Sequence, residues 1–304
     1  MSILTKSLAA ISLCRPKQWL KNIFIIAPIF FDRKLFETSS LLPVILVLMA
    51  FCFIASSIYC LNDIIDCDID RKHPVKKLRP IASGEISKLS GGGVILILIT
   101  LFSLMMLYVN NEKLINRNDF TCVLQLIIVY LITNISYSLY LKKIIILDVF
   151  VIAFGFVIRL FLGAIAGDVL LSHWIVLMTF LLALFLAFAK RRDDVVQYEC
   201  FGEKLRKNID RYNLPFMNQV ITIIGTITIV CYILYTVSPE ALGRFQSRYL
   251  YLTSIFVLLG IIRYLQLTIV DVKSGSPTKV LLTDRFLQIT IILWLASFFF
   301  ILYA

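Results

Sequence analysis

Apolar runs of about 20 residues, parted by short polar breaks, recur along almost the whole chain, the pattern of helices that cross a bilayer. Nine such runs are predicted, over residues 17–31, 41–61, 92–109, 120–140, 144–166, 170–189, 218–237, 249–270 and 286–304. The first is the weakest, because Lys17, Lys21 and Asn22 occupy its opening turns. Residues 2–13, before it, have the character of an interfacial helix. Two longer polar stretches, 62–91 and 190–217, break the rhythm, and chemistry is expected where these two loops face each other. The expected fold is an all-α integral membrane protein, a single polytopic domain over residues 1–304 without internal repeat or low-complexity segment.

Composition narrows the function classes. Of the 304 residues 60% are hydrophobic and 16% charged, against roughly 25% charged in an ordinary soluble domain, which excludes most soluble enzymes, disorder and coiled coil. Thirty Lys and Arg against 19 Asp and Glu give a net charge of +11. With a cytoplasmic N-terminus, 22 of the 30 cations fall in cytoplasmic segments, including Lys190, Arg191, Arg192, Lys204, Arg206, Lys207 and Arg211 of the second polar stretch. Six lie on the opposite side (Arg33, Lys34, Lys113, Arg117, Arg244 and Arg248), and Arg159 and Arg263 lie within helices. This is the positive-inside asymmetry, and it accounts for the basic balance with no nucleic acid as a partner. The seven cysteines are scattered and include no C-x-x-C pair, so neither a disulfide framework nor a zinc site is indicated. The first apolar segment runs on without a small-residue cleavage site, and no cleavable signal peptide is expected.

The most specific chemistry lies in Asn62-Asp63-Ile64-Ile65-Asp66-Cys67-Asp68-Ile69-Asp70, at the cytoplasmic end of the second predicted span. If the helix continues through it, Asp63, Asp66 and Asp70 fall at i, i+3 and i+7 on one stripe, with Asp68 on the far side. Three carboxylates on one stripe repel one another, and the helix C-terminus adds to the penalty. A divalent cation relieves both, and hard oxygen ligands with room for phosphate oxygens suit Mg2+ better than a soft metal. The competing reading is a solvated acidic turn neutralised by neighbouring Lys and Arg.

The next residues, Arg71-Lys72-His73-Pro74-Val75-Lys76-Lys77-Leu78-Arg79-Pro80, put cations directly after the carboxylates, the arrangement expected around a metal-diphosphate. Taken alone, the same run is an ordinary inside-positive loop. A third cluster opens at Tyr137 and Lys142 and continues through Asp148, Gly155 and Arg159, the last three returning to nearly one angle on a helix. An intramembrane charge by default faces a cavity, so Asp148 and Arg159 read as the lining of a polar pocket, with a structural ion pair as the alternative. Lys190-Arg191-Arg192-Asp193-Asp194 offers cations for phosphate and acids for metal, or a solvated helix end.

These motifs resemble the UbiA superfamily of intramembrane prenyltransferases, and within it the decaprenyl-phosphate phosphoribosyltransferase branch. The resemblance is carried by Arg15-Pro16-Lys17-Gln18-Trp19-Leu20-Lys21-Asn22, the 62–70 motif, His73-Pro74, Arg79-Pro80-Ile81-Ala82 and Tyr137-Ser138 with Lys142. It continues through Asp148, Gly155-Phe156, Arg159, Lys190-Arg191, Ser276-Pro277 and Asp284-Arg285, over nearly the whole chain. Members of this branch tend to carry a Glu shortly after the second Lys-Arg, where this chain has Asp193-Asp194.

The resemblance implies a nine-helix bundle in a bacterial-type inner (plasma) membrane with its active site facing the cytoplasm. It implies Mg2+-dependent transfer of 5-phosphoribose from 5-phosphoribose 1-diphosphate to a polyprenyl phosphate, releasing diphosphate, for synthesis of a cell-envelope pentose donor. On that reading Asn62, Asp63, Asp66 and Asp70 form the catalytic set, with Asp63, Asp66 and Asp70 as metal ligands. Lys17, Lys76, Arg79, Tyr137, Lys142, Asp148, Arg159, Lys190 and Arg191 are the substrate and phosphate candidates. The expected partners are the bilayer and the two substrates, with a second copy of the chain as a candidate.

The alternative within the superfamily is transfer of a prenyl group from a prenyl diphosphate to an aromatic acceptor. Phosphoribosyl transfer must hold three anionic groups, which one firm aspartate motif and an excess of cations suit better. A transporter of an anionic lipid or metabolite is a third reading, and it leaves the directional aspartate stripe unexplained.

Overall fold

The computed structural model describes residues 3–72, 76–202 and 209–303. His73 and Pro74 of the basic segment, and Lys204, Arg206 and Lys207 of the second polar stretch, lie outside the described residues. Among the described residues all regular structure is helical. In chain order the α-helices are α1 (Ile3–Leu13), α2 (Ala27–Phe31), α3 (Thr38–Ile65), α4 (Cys67–Asp70), α5 (Lys88–Asn111), α6 (Arg117–Leu139), α7 (Leu147–Ala166), α8 (His173–Phe201), α9 (Leu214–Thr236), α10 (Pro239–Phe245), α11 (Ser254–Ile269), α12 (Pro277–Thr283) and α13 (Arg285–Tyr303). Eight helical segments are long and apolar enough to cross a membrane: α3, α5, α6, α7, α8, α9, the stretch Leu250–Ile269 ending in α11, and α13. The protein is thus a multi-pass membrane protein, and each of these segments overlaps one of the predicted apolar runs.

The first predicted run, 17–31, departs from expectation. It forms a 3-10 helix over Pro16–Ile25 and then the five-residue α2, so among the described residues eight helices of spanning length are found where nine spans were expected. Pro16 and Pro28 lie in the opening turns of the 3-10 helix and of α2, where a missing backbone N–H costs least, so each starts a new short helix. The segment instead runs antiparallel along α3. Trp19 Nε1 donates to Ser56 Oγ at 3.0 Å and Asn22 Nδ2 to Cys52 Sγ at 3.1 Å. Ile25 and Ile29 then join Val44 and Val47 in one buried cluster. Gly163 and Gly167 of α7 make this approach possible: a Cβ on Gly163 would stand 1.8 Å from the Ile25 carbonyl oxygen, and one on Gly167 2.3 Å from Ile29 Cγ2. Small residues four apart are what let membrane segments pack backbone to backbone.

The opening part of the second polar stretch, residues 190–201, is helical where a loop was expected. α8 continues past residue 189 to Phe201 and stops at Gly202, whose φ of 67° is the left-handed conformation that glycine adopts freely. Four of the charges on α8 meet partners within the fold. Arg191 Nη1 pairs with Asp194 Oδ2 at 2.9 Å, one turn along the helix. Arg192 Nη1 donates to the Thr268 carbonyl at 2.6 Å and Nη2 to that of Ile269, satisfying acceptors left open at the end of α11. Asp193 accepts from Ser274 Oγ at 2.8 Å and so ties down the segment that follows α11.

The chain forms two compact units, Met1–Leu139 with Ile158–Leu170, and Tyr140–Val157 with Leu171–Ala304. In the first, α3 packs against α5, α6 and the 3-10 helix around Phe51, Ile54, Ile127, Ile158 and Leu162. In the second, α8 and α9 pack with α11 and α13 around Phe185, Phe188, Ile221, Tyr264 and Leu287. Helix α7 contributes its opening turns to the second unit and its remainder to the first.

Candidate active site

In the first unit, α3 ends at Ile65 and α4 adds one further turn after a break at Asp66. The hydrogen bonds Asp66 N to Asn62 O (2.9 Å) and Asp70 N to Asp66 O (2.8 Å) carry helical spacing across the break. The periodicity argument therefore applies: Asp63 and Asp70 have side chains 2% and 3% exposed, whereas that of Asp68 is 72% exposed. Asp68 turns to Arg71 and Lys88, each 3.4 Å away. Asp66 is half-buried between these extremes.

Two guanidinium groups meet the buried carboxylates. Arg79 Nη1 lies 2.6 Å from Asp70 Oδ2 and 3.1 Å from Asp63 Oδ1, and Arg15 Nη2 also pairs with Asp63 Oδ1. Arg79 is delivered by its neighbours. Pro80 and Ile81 are buried, Cys67 Sγ donates to the Ile81 carbonyl at 3.7 Å, and Ser83 N returns to the Arg79 carbonyl at 2.8 Å. Arg15 stands just before Pro16 with a left-handed φ of 51°, its guanidinium carbon 5.3 Å from the centre of the Tyr59 ring. Asn62 Oδ1 accepts from Ser138 Oγ, which ties its amide to α6.

Asn62, Asp63, Asp66 and Asp70 present hard oxygen donors, the set that Mg2+ prefers, so the residues fit such an ion in chemistry. No three His, Cys, Asp or Glu side chains converge on one point among the described residues, and Arg79 stands between Asp63 and Asp70.

Asp148 and Arg159 do not form the pair that the sequence left open. Eleven residues apart on α7, they are separated by about 16 Å along its axis. In the first unit Arg159 Nε donates to Asn22 Oδ1 at 2.9 Å and Nη2 to Tyr130 OH at 3.4 Å. Its guanidinium carbon lies 5.0 and 5.3 Å from the centres of the Phe51 and Tyr130 rings. In the second unit Asp148 accepts from Arg191 Nε at 2.8 Å, and both residues are buried. An ion pair does fix Asp148, but its partner comes from α8. Just ahead of α7, Ile146 has a left-handed φ of 68°, and its N–H donates to Tyr212 OH at 2.8 Å. Burial pushes the Tyr212 hydroxyl above its ordinary range, so it stays protonated.

The first unit thus brings together Asp63, Asp70 and Arg79, and the second Asp148 and Arg191. Lys17 is exposed, while Lys76, Tyr137, Lys142 and Lys190 are half-buried. Sequence reasoning did not single out Arg15, Asn22 or Ser138 as site residues. The first two lie in the R-P-K-Q-W-L-K-N motif and the third beside Tyr137, so the motifs contained them; their contacts reach across 48, 137 and 76 positions.

The model of the UbiA prenyltransferase family matches residues 35–288. The chain is 29% identical over 284 residues to a decaprenyl-phosphate phosphoribosyltransferase from Corynebacterium glutamicum, with 92% of this chain and 82% of that protein covered. It is 29% identical over 296 residues to the protein of the same name from Mycolicibacterium smegmatis, with 93% and 89% covered. A solved UbiA homolog from Archaeoglobus fulgidus, bound to DMAPP and Mg2+, shares the fold with a TM-score of 0.65 at 18% identity, over 96% of this chain and 98% of that one. The matched span takes in the aspartate stripe and nearly all of the membrane-crossing helices, and the chain belongs to the UbiA prenyltransferase family.

Proposed function

We propose that this protein transfers 5-phosphoribose from 5-phosphoribose 1-diphosphate to a polyprenyl phosphate, releasing diphosphate, at the cytoplasmic face of a bacterial-type plasma membrane. The observation that carries the reading is the buried Asp63 and Asp70 pair with the guanidinium groups of Arg15 and Arg79 upon it. Carboxylates for a cation and cations for an anion meet at one point, as a metal-diphosphate requires. The relatives named decaprenyl-phosphate phosphoribosyltransferase, aligned over more than nine-tenths of this chain, support the choice of donor and acceptor.

In this mechanism Asp63, Asp66 and Asp70, with Asn62 oriented by Ser138, would hold Mg2+, which supplies charge stabilisation to the departing diphosphate. Arg79 and Arg15 lie where they can take diphosphate oxygens in bidentate fashion. An oxygen of the lipid phosphate forms the new bond to C1 of the ribose as the bond from C1 to the diphosphate oxygen breaks, and the electron pair leaves with diphosphate. The attacking phosphate is already anionic near neutral pH, so no strong general base is needed. Lys17, Lys76, Tyr137, Lys142 and Lys190 are the candidates for the donor 5-phosphate and the lipid phosphate.

Incubation of the purified protein with radiolabelled 5-phosphoribose 1-diphosphate, polyprenyl phosphate and Mg2+ tests the proposal. The expected product is a radioactive, chloroform-extractable pentosyl lipid. Absence of that lipid, with a prenylated product formed from a prenyl diphosphate and an aromatic acceptor, would establish the other activity of the family instead.

A further inference from the structure

We infer that Arg79 is a built-in counter-cation that keeps the Asp63 and Asp70 face closed to free divalent metal until a diphosphate draws it away. The inference deepens the proposed function and rests on it for the identity of the diphosphate carrier alone. Asp63 and Asp70 are both almost fully buried, and a cation between two buried carboxylates lets both stay ionised. Arg79 supplies it from a single nitrogen, 3.1 Å from one and 2.6 Å from the other. A Mg2+ ion bound at about 2.0–2.1 Å to the same oxygens cannot share that space with the guanidinium. Free metal therefore competes with Arg79 for one position.

The means of release lies in how Arg79 is mounted. Its backbone is anchored by buried Pro80 and Ile81 and by the Ser83 N–H, while its side chain remains 27% exposed. Exchange thus needs rotation of one side chain and leaves the loop in place. A diphosphate gives the guanidinium a better partner, since planar bidentate pairing to phosphate oxygens suits arginine. Released carboxylates then accept the metal that the diphosphate carries. Arg15, set over the Tyr59 ring, pairs with the same Asp63 oxygen and adds to the barrier against free metal until diphosphate oxygens take it too. The consequence is an order of loading: metal and diphosphate enter together, and the enzyme without donor has little use for free metal.

Binding of Mn2+ to the purified protein in detergent, followed by electron paramagnetic resonance with no donor present, tests this directly. Arg79→Gln should bind Mn2+ at least about tenfold more tightly than the wild-type protein, a shift of about 1.4 kcal/mol. Arg79→Lys keeps a positive charge, protects folding should the glutamine variant fail to fold, and should bind Mn2+ with an affinity between the two. A metal affinity no higher than wild type in whichever of the variants folds overturns the inference. Because no donor is present, that failure leaves the pentosyl-transfer reading standing. Absence of pentosyl transfer by the wild-type protein, with tighter Mn2+ binding in the variants, would instead overturn the reading and keep the role of Arg79.

Discussion

Asp63 and Asp70, seven residues apart in the chain, share one guanidinium nitrogen, that of Arg79 at 3.1 and 2.6 Å. Asp68, which lies between them in sequence, faces outward with 72% of its side chain exposed. One face of a single helical stretch is therefore buried against two arginines and the opposite face is exposed. Asp63→Asn should lower the initial rate of pentosyl transfer by about 10²–10³, the usual cost of losing one group that stabilises developing charge. Asp68→Asn, whose exposed ion pairs are worth about 0–1 kcal/mol, should leave the rate within about fivefold. Rates measured on proteins of matched melting temperature check this, and equal losses at the two positions would contradict the stripe.

The 3-10 helix offers a test of packing. Gly163→Ala puts a methyl group 1.8 Å from the Ile25 carbonyl, a backbone atom that cannot turn away. The variant should lose about 1–3 kcal/mol of stability, the cost of overpacking, seen as a lower melting temperature in detergent. Gly92→Ala meets nothing within 4 Å on its helix and should be neutral or slightly stabilising. A Gly163→Ala protein that melts with the wild type would mean that the 3-10 helix does not lie against α7 as described.

Arg159 and Asn22 should behave as one unit. The Arg159 Nε bond to Asn22 Oδ1 at 2.9 Å and the flanking Phe51 and Tyr130 rings depend on a planar guanidinium. Arg159→Lys should cost about 1–3 kcal/mol, and a double-mutant cycle with Asn22→Ala should show at least about 0.5 kcal/mol of coupling. Strictly additive effects would separate the two residues. Titrating donor binding on the same Arg159→Lys protein tests the distinct proposal that this cation serves a substrate phosphate.

In the second unit, Asp148→Asn leaves the fully buried Arg191 with one carboxylate fewer. Breaking a buried pair from one side costs about 3–5 kcal/mol, whereas replacing both partners by apolar groups is often close to neutral. Thermal unfolding should therefore rank Asp148→Asn below the Asp148→Leu, Arg191→Met double variant. The reverse order would show that the ion pair contributes little.

Periodicity made much of this protein legible. Apolar runs located eight crossing helices, and the i, i+3, i+7 spacing sorted Asp63 and Asp70 from Asp68, because both signals are local and helical geometry converts them into faces. The elements that escaped are those decided by distant partners. Pro16 and Pro28 with Lys17, Lys21 and Asn22 weaken the first run locally, yet its 3-10 path is held by Ser56, Cys52 and Gly163. Residues 190–199 look like a polar loop by composition and are helical because Arg191, Arg192 and Asp193 find Asp148, Thr268 and Ser274. Arg159 was recognisable as an intramembrane charge, but its partner Asn22 lies 137 positions away.

On this mechanism the Asp63 face breaks the bond between C1 and diphosphate and hands the pentose to a lipid phosphate. Phosphorus NMR of wild-type protein with 5-phosphoribose 1-diphosphate, polyprenyl phosphate and Mg2+ reads both products in one tube. Diphosphate and a new phosphodiester should rise in equal amounts, with neither formed by Asp63→Asn. Diphosphate released without a phosphodiester, or both products formed at the wild-type rate by Asp63→Asn, would contradict it.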